Sequence, residues 1–159
     1  MNLYVHANPA MRPPDICPEG YAALRLHAGA CALNRTDRVA LAELLVHVHR
    51  VGIGAYPMMT ALLSQKLVYA SLLAGVRVAD AIAASGSRCT FSIDDLGPQS
   101  ATIFLCGESS EGQSGLSVRT LLGATLIGMK VGTFGPLLQS EGTLRRVHLL
   151  SVRRQTPTP

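Results

Sequence analysis

The sequence predicts an α+β chain: an N-terminal helical hairpin, then a small antiparallel sheet with one short helix. Three observations carry this. Between residues 36 and 75 the apolar residues recur with a helical period. After Gly75 the period switches to two. Paired alternating runs are then separated by Gly- and Pro-containing turns, the pattern of hairpins.

Residues 1–35 stand apart. They hold Pro9, Pro13, Pro14 and Pro18 with no sustained period and read as an irregular extension, with at most a short helical turn in "YAALRLHAGACAL". The hairpin follows over 36–75. "TDRVALAELLVHVHRVG" sets Leu41, Leu44, Leu45 and Val48 on one face. Thr36 is placed to cap that helix, Asp37 suits its first turn and Gly52 its end. Pro57 then fits the first position of a second helix, "PMMTALLSQKLVYASLLAG", closed by Gly75. Each arm would run ~20–25 Å at ~1.5 Å per residue.

Residues 76–159 read as the sheet domain. In "SRCTFSI" Cys89, Phe91 and Ile93 alternate with Arg88, Thr90 and Ser92, and "SATIFLC" returns after a Gly97-Pro98 turn. The polar loop "GESSEGQSG" leads to a strand, "LSVR", and Thr120 is placed to cap a short helix that ends at Gly128. "TFGPLLQS" and "LRRVHLLSV" read as a last hairpin around Gly142, and Pro136 in the first of these points to an edge or a bulge.

Composition narrows the function. The 159 residues are 48% hydrophobic and 15% charged, enough apolar material for a core. Tryptophan is absent and aromatics make up 4%, so neither a sugar-binding cleft nor a base-stacking nucleic-acid surface is indicated, and direct sequence-specific nucleic-acid binding is not expected. The net charge of +4 is scattered rather than concentrated. No run reaches the ~18 apolar residues of a membrane span. The first residues lack the pattern of a secretion signal, so the expectation is a cytoplasmic protein without a membrane partner. Cys17, Cys31, Cys89 and Cys106 show no paired spacing, and His47 and His49 point about 200° apart on a helix. Neither metal nor cofactor is expected. Asp94 and Asp95 read as turn acids, and Ser109 and Ser110 have no neighbouring base.

The stretch "LSVRTLLGATLIGMKVGT" resembles the C-terminal domain of Gre-type bacterial transcription factors, and is closer still to the Rnk-type "regulator of nucleoside diphosphate kinase" branch. There a strand such as "ISV" leads through a Ser-Pro turn into "xxALLGLxVGD". Upstream, "ASGSRCTFSIDDLGPQSATIFL" is similar to the family's "MNSRVxFxDxxTGexxxxTLVYP". Downstream, "LRRVHLLSVRRQTP" is similar to its closing strand. Thr120-Leu121 replaces Ser-Pro, Thr133 replaces an Asp, and Leu105-Cys106-Gly107 stands for "VYP". The resemblance implies an FKBP-like sheet domain. It also implies RNA polymerase as partner, bound near its secondary channel, with Ser117, Arg119, Thr120, Leu121 and Leu122 as the docking edge.

Gre factors that stimulate transcript cleavage carry acidic residues at the tip of a long coiled coil, where carboxylates help hold a second Mg²⁺. Here no Asp or Glu lies between Glu43 and Asp80, and the hairpin is short. A non-catalytic regulator without cleavage stimulation is the expectation. Two alternatives stand beside it. One is an interaction module acting on another partner, with a homodimer through Met58, Met59, Leu62, Leu63, Val68, Leu72 and Leu73. The other is a prolyl isomerase, for which Phe91, Phe104 and Phe134 are few aromatics.

Overall fold

The computed structural model describes residues 16–51, 56–73, 81–105 and 115–154. Helix α1 (Pro18–Ala30) is followed by β1 (Ala32–Leu33), α2 (Arg35–Val51), α3 (Tyr56–Tyr69) and β2 (Ser71–Leu72). The remainder is β3 (Ser87–Ile93), β4 (Gln99–Phe104), β5 (Gly115–Ser117), α4 (Leu121–Leu126), β6 (Phe134–Leu138) and β7 (Leu144–Arg154). The α+β class holds, with helices first and sheet second. Among the described residues no helix is long and apolar enough to cross a membrane.

The first correction falls on residues 1–35. Residues 18–30 are a regular helix with Pro18 at its start and Glu19 in its first turn, while 1–15 lie outside the described residues. Its buried face is made of Gly20, Leu24, His27 and Ala28, with one large aliphatic among them. A search for a stripe of large aliphatics therefore passes over it. Gly20 is required there, since a Cβ would stand 2.7 Å from the Ile16 side chain.

The hairpin arms are α2 and α3, and the tip at 52–55, with Gly52, lies outside the described residues. Leu41 and Leu44 are buried, and Leu45 and Val48 pack against the core, as their spacing predicts. Asn34, not Thr36, caps α2: its Oδ1 accepts from Asp37 N at 2.7 Å. Asp37 is itself buried and accepts from Ser85 N at 3.1 Å and Ser85 Oγ at 2.5 Å. This first-turn acid thus ties α2 to the entrance of the sheet. Arg38 crosses the hairpin and donates to Leu67 O at 2.6 Å, near the end of α3. β1 and β2 pair in parallel, joining the chain after α1 to the chain after α3.

The main sheet has five strands in the order β5-β4-β3-β7-β6. It is mixed, not antiparallel: β5 runs parallel to β4, with Ile103 opposite Leu116. A parallel neighbour needs a crossover rather than a tight turn. The composition of the segment between β4 and β5 does not distinguish the two directions. β3 follows its alternation, with Cys89, Phe91 and Ile93 buried. Pro136 sits on the edge strand β6, where its missing N–H costs no ladder bond to a further strand.

The core is one aliphatic cluster running from the helices through α4 into the sheet. Met58, Met59, Leu62 and Leu63 belong to it and are buried. Most of the apolar hairpin face considered for a homodimer is therefore used within the chain, leaving Val68 and Leu72 exposed. Cys31 and Cys89 are buried free thiols, and burial pushes Cys89 up to about 12. Cys17 is exposed, and Cys106 lies outside the described residues.

Candidate functional site

The predicted docking edge is the corner where β5 turns into α4. Thr120 caps the helix as its sequence position predicts: backbone extended, Oγ1 accepting from Gly123 N at 3.0 Å. The same hydroxyl donates to Ser117 O at 2.7 Å, and Thr120 N donates to that carbonyl at 3.1 Å. Ser117 Oγ accepts from Arg119 N at 3.2 Å. Gly123 makes the corner possible, because a Cβ there would lie 2.1 Å from Ser117 O. Val118 is buried and anchors the turn; Arg119 and Thr120 are exposed, and Ser117, Leu121 and Leu122 are half-buried. The result is a stiff corner with one cation and two apolar side chains at its surface.

One wall of this surface was not legible from the chain's own corner. Helix α2 brings Ala40, Glu43, Leu44 and His47 against Val118, Arg119 and Leu105, enclosing a cleft of about 320 Å³. Nothing in the local sequence of α2 marks these residues as neighbours of a turn so distant in the chain.

At the far end of α4 lies a further residue with no role legible in the sequence. Lys66, from α3, is fully buried. Its Nζ donates to the carbonyls of Ala124, Thr125 and Ile127 at 2.5, 2.6 and 2.5 Å. These are carbonyls that a helix end leaves without intrahelical partners. An ammonium has three donors and suits the negative end of a helix. Burial pulls Lys66 down to about 8. The signal in the sequence is a lone charge in a helix that holds no other. Gly128 completes the stop with φ +88°. Helix α4 is therefore held by a hydroxyl at one end and an ammonium at the other.

His27 lies in the same interior. Burial, then the charge of Lys66, lowers it from 6.5 to about 3. Cys31 Sγ is 3.8 Å from its Nε2, and burial raises that thiol. Because His27 is lowered on folding, protonation favours the unfolded chain. Its share of stability is complete above 6.5 and is lost as pH falls toward about 3. Urea unfolding should show a folding constant that falls toward about tenfold per pH unit below pH ~6 in the wild type. The fall should be visibly shallower in His27→Gln, and parallel curves would refute the assignment.

The remaining sequence candidates are structural. Asp94 sits in the β3–β4 turn with φ 51°, binds Arg145 Nε at 2.8 Å and accepts Arg146 N at 3.0 Å. These hydrogen bonds hold its carboxyl below the usual range. His47 and His49 are exposed, and among the described residues no group of three His, Cys, Asp or Glu could hold a metal ion. Phe91 is buried, Phe104 half-buried and Phe134 on the sheet edge, so the three do not line one pocket. Ser109 and Ser110 lie outside the described residues.

No family model and no curated protein matches the chain. Solved structures do. Prokaryotic transcription elongation factor GreA/GreB from Nitrosomonas europaea superposes with a TM-score of 0.55 at 15% identity, covering 77% of this chain and 98% of that one. GreA factor homolog 1 of Thermus thermophilus (TM-score 0.38, 14% identity, 77% and 98% covered) and its Thermus aquaticus counterpart (0.39, 13%, 77% and 97%) overlay too loosely to add to this. The resemblance read from the sequence thus holds at the level of fold: the chain has the fold of a Gre-type transcription elongation factor.

Proposed function

We propose that this protein is a non-catalytic, cytoplasmic transcription regulator that docks on RNA polymerase near the secondary channel and does not stimulate transcript cleavage. The observation that carries the reading is the β5–α4 corner, set in a Gre-type fold. It is braced by Thr120 and Gly123, it presents Arg119, Leu121 and Leu122, and it adjoins a cleft walled by Glu43 and His47. A preformed surface of this kind loses little entropy on association. The absence of any acidic residue between Glu43 and Asp80 supports a role without cleavage chemistry, since a hairpin tip without carboxylates offers no hard ligands for Mg²⁺. The arms of 17 and 14 residues span only about 25 and 21 Å, which favours the Rnk-type branch over a factor that reaches deep into a channel.

The test is binding of the purified chain to bacterial core RNA polymerase with a Gre factor as competitor. Mutually exclusive binding is expected. Arg119→Glu should weaken it about tenfold or more, as expected for reversing a charge at an interface. Binding that survives saturating competitor, or that ignores Arg119→Glu, sinks the proposal.

A further inference from the structure

A second surface lies at the opposite edge of the sheet from the β5–α4 corner. Helix α1 and the β6–β7 ribbon diverge to leave an open groove of about 600 Å³. Its walls are apolar: Ala23, Leu26 and Ala30 on α1 face Phe134, Pro136 and Leu144 on the ribbon. Leu26 is 77% exposed, Phe134 51% and Leu144 37%. Apolar side chains gathered in one concavity, rather than scattered, mark a place where another surface binds.

The rim decides what kind. It carries two arginines and one carboxylate. Asp94 is already engaged by the Arg145 side chain and the Arg146 backbone. The Arg146 guanidinium carbon lies 4.4 Å from the Phe134 ring centroid, and Phe134 stacks on His148 at 4.0 Å. A ring contact of this kind forms no hydrogen bond, so the guanidinium N–H donors can still meet a carboxylate in a fork. Asp94, the one carboxylate at this rim, feels the charges of both arginines but forms its side-chain ion pair with Arg145, so the two guanidinium groups leave the rim one positive charge in excess. His27 at the floor is buried and neutral, so it adds no charge.

We propose that the groove between α1 and the β6–β7 ribbon is a docking surface for an acidic peptide segment of a second protein, with a bulky apolar residue seated against Leu26, Phe134 and Leu144 and a carboxylate on Arg146. The two surfaces lie on opposite sheet edges, β5 and β6, so the chain can hold two partners at once. The peptide surface stands whether or not the corner binds polymerase.

Fluorescence polarisation with a labelled peptide of Glu and Leu at helical spacing tests this on the full chain. A second peptide carries Lys for Glu, and a third Ser for Leu. Saturable binding of the first at micromolar concentration is expected, with the other two at least about tenfold weaker, roughly 1.4 kcal/mol. Leu26→Asp and Arg146→Glu should each lose about tenfold. Leu26 is exposed, so its variant should melt like the wild type. Arg119→Glu, at the other edge, should leave peptide affinity unchanged. Equal binding of the Lys peptide, indifference to both groove variants, or no binding up to about 1 mM overturns the proposal. So does light scattering that shows a dimer abolished by Leu26→Asp, since a second copy would then fill the groove.

Discussion

Gly123→Ala will cost more stability than any other single methyl group added to the corner. The new Cβ would stand 2.1 Å from Ser117 O and 2.7 Å from Ser117 C, both backbone atoms that cannot rotate away. Relief requires α4 to move off β5, which breaks the Thr120 cap and shifts Arg119 and Leu121. The expected loss is about 3 kcal/mol, the upper end of overpacking penalties, read as a lower urea midpoint at unchanged m. Gly132→Ala is the control. Its φ is +84° but nothing lies within 4 Å of the added atom, so it should cost only about 1–2 kcal/mol of left-handed strain. Similar losses at the two glycines would mean that the corner yields, and would remove the rigidity on which the proposed docking role depends.

Lys66→Met should destabilise the protein by about 2–4 kcal/mol. Two effects oppose each other. Methionine removes a buried charge, whose desolvation is costly. It also leaves the carbonyls of Ala124, Thr125 and Ile127 without their shared donor. A buried acceptor left unpaired costs about 1–3 kcal/mol. For an ion pair, replacing both partners with apolar groups can be neutral. Here the acceptors are backbone and stay, so the loss dominates. Chemical denaturation measures the sum. Hydrogen exchange localises it: the amides of Ile127 and Gly128 should lose protection before those of β3. Wild-type stability in Lys66→Met would show that water replaces the ammonium.

The sequence made the regular parts legible because their physics is local. Leu41, Leu44 and Leu45 announce a helix face, Cys89, Phe91 and Ile93 a strand, and Thr120 a cap three residues before the amide it binds. The parts that stayed hidden depend on residues far apart. The parallel pairing of β5 with β4 has no local signal in either strand. The partners of Lys66 lie nearly sixty positions on. Helix α1 buries a histidine, a glycine and an alanine beside a single leucine, a face defined by what packs on it. The proposed docking residues Ser117, Arg119, Thr120, Leu121 and Leu122 follow from the resemblance, and the cleft wall on α2 required the fold.

The position of β7 in the strand order has a consequence for how the protein is made. β7 sits between β3 and β6, yet it is made after both. During synthesis β3 and β4 can close as a hairpin, but β6 has no neighbour, and Phe91 and Ile93 lack Leu149 and Val147 opposite them. The ~50 residues from Ile93 to Leu144 take about 3–10 s to polymerise at ordinary rates. Until β7 is made the sheet keeps an open strand edge, and for about the first two thirds of that interval the carbonyls that hold Lys66 have not yet been made. Mutations that weaken β7 should therefore lower the yield of folded protein by prolonging that exposure.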